Sequence, residues 1–199
     1  MVGSLHQTRR VGILALQGAV APHATKLRAL GVEPAEVRRK EDLQDLSGII
    51  LPGGESTTML HLLHLNSLWE PLKEFISVKP TWGVCAGAIL LAKKVSAPGQ
   101  ASFERLSIEV ERNGYGRQRE SFIGQVQPTA LWEGGEDLEA VFIRAPRIRE
   151  VGANIRTLFM YKGEPVMVEE GLCLASTFHP ELTASSRLHE YFLARCSLS

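Results

Sequence analysis

Cys85 stands where an apolar run, Thr81 to Val84, gives way to a helix-like stretch, Ala86 to Leu91, with Gly83, Ala86 and Gly87 as small neighbours. A chain that turns sharply from strand into helix needs small residues, because backbone and helix approach closely and the turn residue is often strained. Such a turn pushes its side chain out over the sheet, beside the positive end of a helix dipole. For a thiol the consequence is chemical. A free cysteine titrates at ~8.5, and a helix N-terminus or a neighbouring imidazolium lowers that to roughly 3.5–7.5. A buried cysteine in a Gly/Ala-rich core turn explains Gly-x-Cys-x-Gly taken alone equally well. The nucleophile reading requires a base, an orienting acid and an oxyanion site from elsewhere in the chain.

His179 is the candidate base. Of the six histidines, His61 and His64 fall in a helical pattern, His6 in the polar start and His189 in the last helix. His179 instead follows an apolar strand-like run, Leu172 to Ser176, and precedes Pro180, which disfavours helix at the residue before it. In extended chain, residues i and i+2 share a face, so Glu181 falls on the same side as His179. A carboxylate there can fix the imidazole tautomer while the other ring nitrogen faces a thiol. Taken alone, His-Pro-Glu fits a surface loop as well. For the oxyanion, Gly53 and Gly54 after the run ending at Leu51 offer backbone N–H groups, and the Ala86 N–H is a second donor. An ordinary turn explains Pro52-Gly53-Gly54 in isolation.

These residues must be brought together by a sheet whose strands end at one edge. Val11–Leu16 and Gly48–Leu51 are short continuous apolar runs, the pattern of strands covered on both faces, with a weaker strand over Ala35–Arg38. Each is followed by turn residues and then apolar positions at helical spacing: Leu27 and Leu30 before Gly31, then Met59, Leu60 and Leu63, then Leu68, Leu72 and Phe75. Ser67 and Glu70 have capping-box spacing and predict a fresh helix there. Three strand–turn–helix units imply a mostly parallel central sheet flanked by helices, whose carboxyl edge gathers functional groups. Beyond Val95, the segments around Ile108, Phe122, Val141, Phe159 and Val166 read as antiparallel strands added to or beside that sheet. Arg187–Cys196 reads as the closing helix.

The bulk numbers narrow the class. The 199 residues, 44% hydrophobic, suffice for one domain, expected over 11–199 after a polar tail over 1–10. Lys+Arg and Asp+Glu both total 22, so zero net charge gives no electrostatic case for nucleic acid or an anionic membrane. Three dispersed cysteines argue against a disulfide framework or zinc site and for a reducing, cytoplasmic setting. The start carries no secretory h-region, and no apolar run approaches membrane-spanning length. Gly-x-Gly-x-x-Gly and P-loop fingerprints are absent, so no cofactor is expected.

The ordered set Gly53-Gly54-Glu55-Ser56, Gly83-Val84-Cys85-Ala86-Gly87 and His179-Pro180-Glu181 resembles the class I, triad-type glutamine amidotransferases, a flavodoxin-like fold. More narrowly, the chain is similar to the glutaminase subunits of two-subunit pyridoxal 5′-phosphate synthases. That narrowing rests on Leu14–Ala19, Leu51–Met59, Val110–Asn113 with Gly116–Gln118, Ser121-Phe122, Val141–Pro146 and Phe178–Thr183. The resemblance implies Cys85 as nucleophile, His179 as base and Glu181 as its orienter. It also implies a glutamine pocket lined by Gly54, Glu55, Ser56, Arg112, Ile143 and Arg144, and an oxyanion site at Gly54 and Ala86 that Gln17-Gly18 helps gate. L-glutamine would be hydrolysed through a thioester, and the ammonia passed to a docked synthase subunit. An α-carboxylate and an α-ammonium need a cation and acceptors in fixed places, which Arg112 and Glu55 suit. A non-catalytic assembly subunit, or a glutaminase serving another synthase, are the alternatives. Two departures from the family pattern stand out: Val84 and Ala88 flank the Cys-Ala-Gly turn in place of threonine and a bulky residue, and Phe103–Leu106 replaces a Leu-Gly-Leu turn.

Overall fold

The computed structural model describes residues 10–112, 114 and 121–197. Asn113 and Gly116–Gln118 of the motifs above, and positions 1–9 of the polar tail, lie outside the described residues. The first half of the chain alternates strand and helix: β1 (Arg10–Leu14), α1 (Val20–Ala29), β2 (Glu33–Val37), β3 (Ile49–Leu51), α2 (Ser56–Leu65), α3 (Trp69–Val78), β4 (Thr81–Val84) and α4 (Ala86–Leu91). Strands follow: β5 (Ala92–Ser96), β6 (Leu106–Glu111), β7 (Ser121–Pro128), β8 (Leu138–Ile143), β9 (Arg147–Val151), β10 (Arg156–Tyr161), β11 (Glu164–Glu170) and β12 (Cys173–Ser176). Helix α5 (Arg187–Arg195) closes the chain.

Nine strands form one sheet in the order β2-β1-β3-β4-β12-β11-β10-β7-β8. The first five are parallel. From β12 outward each pairing is antiparallel. Four successive reversals return β8 to the direction of β12, so Ile143 at its end arrives at the same rim as Ser176. The added strands are not all antiparallel. In a second, three-stranded sheet, β5-β6-β9, the β5–β6 pair is parallel, because α4 runs directly into β5 and the chain then loops back before β6.

Side-chain alternation divides the core. Ile50, Trp82, Val84 and Leu174 face one apolar cluster with Leu27 of α1 and Phe192 of α5. Ile49, Leu51 and Ala175 face the other, with Met59, Leu63, Leu72 and the α4 leucines. This is the period-two pattern of strands covered on both sides. The expected C′ glycine of α1 is Gly31, at φ +72° in the left-handed region. The expected cap at Ser67 is not formed. Ser67 sits at φ 53°, Leu68 is the N-cap of α3, and no side chain caps that helix. With Ser67 in the left-handed region and Leu68 taking the N-cap position, Ser67 falls one residue short of the cap.

Candidate active site

Cys85 occupies the one-residue turn between β4 and α4, at φ 50° and ψ −100°. Its N–H is held by the Ser176 carbonyl at 2.8 Å, which ties the turn to the neighbouring β12. A non-glycine residue at such angles is strained, and the surroundings must enforce it. They do so through close approach. A Cβ on Gly83 would lie 2.5 Å from the Gly87 backbone, and one on Gly87 would lie 2.0 Å from the Leu51 carbonyl oxygen. Only glycine lets α4 sit this low on the sheet.

The His179 imidazole lines the same cleft as Cys85. His179 follows β12, as expected, and stands close enough to the Cys85 side chain to interact with it electrostatically, while the thiol itself is 3.9 Å from the Ile143 carbonyl. The imidazole Nδ1 meets Glu181 Oε1 at 2.7 Å, which leaves Nε2 for the sulfur. The Glu181 side chain is fully buried, so the carboxylate has no water to share. Burial works against a charge on His179, but the hydrogen bonds and charges of Cys85 and Glu181 outweigh it and push its pKa up to about 10. Gly53 closes over the ring, since a Cβ there would fall 2.3 Å from His179 Cε1.

A cleft of about 330 Å³ opens beside the sulfur. Gly54, Glu55, Ser56, Cys85, Ala86, Arg112, Ile143, Arg144 and His179 all line it. Glu181 stands behind His179 rather than in the wall. Glu55 caps α2, accepting from the Thr58 N–H at 2.8 Å and its hydroxyl at 2.9 Å. Burial would raise the Glu55 pKa, but those bonds hold it below the usual carboxylate value, so the cleft keeps a fixed anion. Arg112 donates to Glu55 Oε1 at 3.2 Å and to the Thr57 hydroxyl at 2.8 Å, so cation and anion stand together on one wall. Gln17 Oε1 accepts from the Glu55 N–H at 2.8 Å and braces the Gly54–Glu55 turn. The Ser56 hydroxyl turns away to Gln100 at 2.8 Å, a contact with no signal in the sequence. Ala19, Ile89 and Pro146 also line the wall.

The two departures are absorbed by packing. Val84 is fully enclosed among apolar side chains and Ala88 is equally buried. Phe103 stacks on Trp69 with ring centroids 4.2 Å apart. Its N–H and that of Arg105 bond the Leu90 and Leu91 carbonyls, so the replaced turn is pinned to the end of α4. His23 went unremarked in the sequence. It sits one helical turn before Leu27 on the buried stripe of α1, and a polar side chain in an apolar stripe was the available signal.

The fold is that of the glutamine amidotransferases. The chain matches a solved glutamine amidotransferase with a TM-score of 0.87 at 42% identity, covering 94% of this chain and 98% of that one. PurLQS from Thermotoga maritima shares the fold alone, at 15% identity and a TM-score of 0.68, over 96% of this chain and 99% of that one. Within the class, the profile of the SNO glutamine amidotransferase family matches residues 13–198, and the chain belongs to that family. Curated relatives include the pyridoxal 5′-phosphate synthase subunit PdxT of Solibacter usitatus, 50% identical over 190 residues, 94% of this chain and 99% of that protein. The subunit of the same name from Dictyoglomus turgidum is 48% identical over the same shares. The family read from the motifs is therefore the one found. Among the described residues, no helix is long and apolar enough to cross a membrane.

Proposed function

We propose that this chain is a glutaminase that supplies ammonia to a synthase subunit making pyridoxal 5′-phosphate, with Cys85, His179 and Glu181 as its triad. The observation that carries the reading is that Cys85 and His179, the latter held by Glu181, line one cleft together with a fixed anion, Glu55, and a cation, Arg112. The thiolate of Cys85 attacks the carboxamide carbon, and the oxyanion takes N–H bonds from Gly54 and Ala86. As the C–N bond breaks, imidazolium His179 gives its proton to the leaving nitrogen, and ammonia departs from a γ-glutamyl thioester. Water, giving a proton to the now neutral His179, attacks the thioester carbonyl carbon; the C–S bond then breaks, and glutamate leaves with the thiolate restored and His179 protonated again. Glu181 holds the imidazole through Nδ1 throughout. Glu55 receives the α-ammonium, while Arg112 and Arg144 face the α-carboxylate. Ser56 and Ile143 shape the remaining wall.

The test mixes the purified chain, glutamine and a candidate synthase subunit, and measures ammonia with each omitted. Ammonia should require all three, and Cys85→Ala should abolish it while partner binding persists. Unchanged hydrolysis by Cys85→Ala would remove the triad assignment. Full-rate hydrolysis by the chain alone would favour a free-standing hydrolase.

A further inference from the structure

Behind the triad, away from the cleft, the buried polar atoms continue. Glu181 commits Oε1 to His179, but Oε2 is buried without a hydrogen-bond partner among the described residues. Facing it at 3.6 Å lies His23 Nε2, likewise buried and without a partner. That separation is too long for a formed hydrogen bond. On its other side, His23 Nδ1 meets His189 Nε2 of α5 at 3.0 Å. The ring is walled by Trp82, edge-on with centroids 6.0 Å apart. Lys26, one turn further along α1, donates to the Thr183, Ala184 and Ser185 carbonyls just beyond Glu181. Helix α1 thus grips the acid-bearing turn at two places, once through Lys26 and once through the His23–Glu181 approach.

The protons can be assigned. An ionised carboxylate only accepts, so any bond from His23 to Glu181 puts the hydrogen on Nε2. Nδ1 is then a bare acceptor, filled by the Nε2–H of His189. The charged and titratable groups around His23 are Glu181 and His179 from the turn after β12, His189 from α5 and Lys26 from its own helix. Burial first, then His189 and His179, hold His23 well below the ordinary histidine pKa, and burial with Lys26 lowers His189 to about 4. Both rings are neutral. The neutrality matters, because a cationic His23 would compete with His179 for the carboxylate, whereas a neutral donor fixes it and leaves its charge to the imidazolium.

We propose that His23 is a positioning residue of the triad, its Nε2–H closing onto Glu181 Oε2 to fix the carboxylate plane that orients His179. A carboxylate held through one oxygen can rotate about its side-chain bonds, and a donor on the second oxygen removes that freedom. Catalytic hydrogen bonds are often long in an unliganded site and tighten with substrate bound. The inference rests on the triad reading above, and the two are tested separately.

The experiment measures kcat, KM and the pH profile of glutamine hydrolysis in the presence of the candidate synthase subunit. Wild type and Cys85→Ala report on the triad; three variants at position 23 report on the proposal. His23→Leu removes the donor and should lower kcat about tenfold, by analogy with the lower end of the loss seen when the outer hydrogen-bond partner of a metal-bound histidine is removed, with KM within about twofold of wild type. A looser carboxylate holds the His179 proton less well, so the alkaline limb should move to lower pH. His23→Gln places an amide N–H near the Nε2 position and should recover kcat to within about threefold. His23→Asn places it near Nδ1 and should behave as leucine does. If His23→Leu does not fold, the Gln and Asn variants decide alone. Equal activity in Gln and Asn, or wild-type kcat and an unmoved alkaline limb in Leu, would overturn the proposal. So would ¹⁵N resonances that put the His23 proton on Nδ1, whatever the activity.

Discussion

At Cys85 the backbone pays a local strain that the rest of the turn enforces, and the residue lines the same cleft as His179 rather than the core alone. The other two cysteines are chemically different. Burial pushes the Cys173 thiol up to about 12, against the pull of Arg105 and Arg195. At pH 7.5 its thiolate is then roughly one part in thirty thousand, and the thiolate is the reactive form. Cys196 is buried under Gly48, where a Cβ would lie 2.6 Å from its sulfur. Iodoacetamide at pH 7.5 should therefore alkylate Cys85 and leave Cys173 and Cys196 unmodified, as read by peptide mass spectrometry. Comparable labelling of Cys173 would contradict the placement of the reactive thiol. At this scale the sequence was informative because the residues that the fold gathers at the cleft sit in short contiguous motifs. Gly83–Gly87 and His179–Glu181 each carry their own geometry. Gln100 and His23 were not legible as site residues, since each acts across contacts of 44 and 158 positions respectively, Ser56 with Gln100 and His23 with Glu181.

Helices α1 and α5 meet through His23 and His189, and two imidazoles buried neutral make a pH-sensitive seam. His189 titrates at about 4 in the folded chain, against 6.5 for an exposed histidine. Between those values the unfolded chain binds more protons, so stability rises with pH across that window and is lost as pH falls from 6.5 through 4. The loss from His189 alone is about 3 kcal/mol once both limits are passed. His189→Gln keeps a donor for His23 Nδ1 but cannot be protonated. Urea unfolding at pH 7 and pH 4 should show a smaller acid loss in the variant than in wild type. Equal losses would mean that His189 is already protonated in the folded state. Among elements, strands with a strong apolar run were legible, whereas β5 and β9 were not. Arg147–Val151 buries only Ile148, and Ala92–Ser96 follows α4 with no break in the chain. Both depend on β6 for their existence, and pairing of that kind leaves no local pattern.

Across the whole molecule the site exists because β1, β3, β4, β12 and β8 end at one rim, although they come from positions 10 to 176. The parallel half of that arrangement followed from repeated strand–turn–helix units. The return of β8 to the rim did not, because it follows from four antiparallel reversals and from a strand order that skips along the chain. The same sheet carries both apolar clusters, one on each face, so neither can dissolve while the strands between them stay ordered. Ile49 and Ile50 are adjacent on β3, both fully buried, and point into opposite clusters. Truncating either to alanine leaves a cavity worth about 2–5 kcal/mol. In a chain of this length each kcal/mol lowers the midpoint by about 2–4 °C. Ile49→Ala and Ile50→Ala should each lower one shared melting transition by a similar amount, with Trp69 on one face and Trp82 on the other losing their native fluorescence together. A calorimetric scan with two resolved peaks, or a variant that melts Trp82 while Trp69 stays native, would mean that the two faces fold as separate units joined only by the strands.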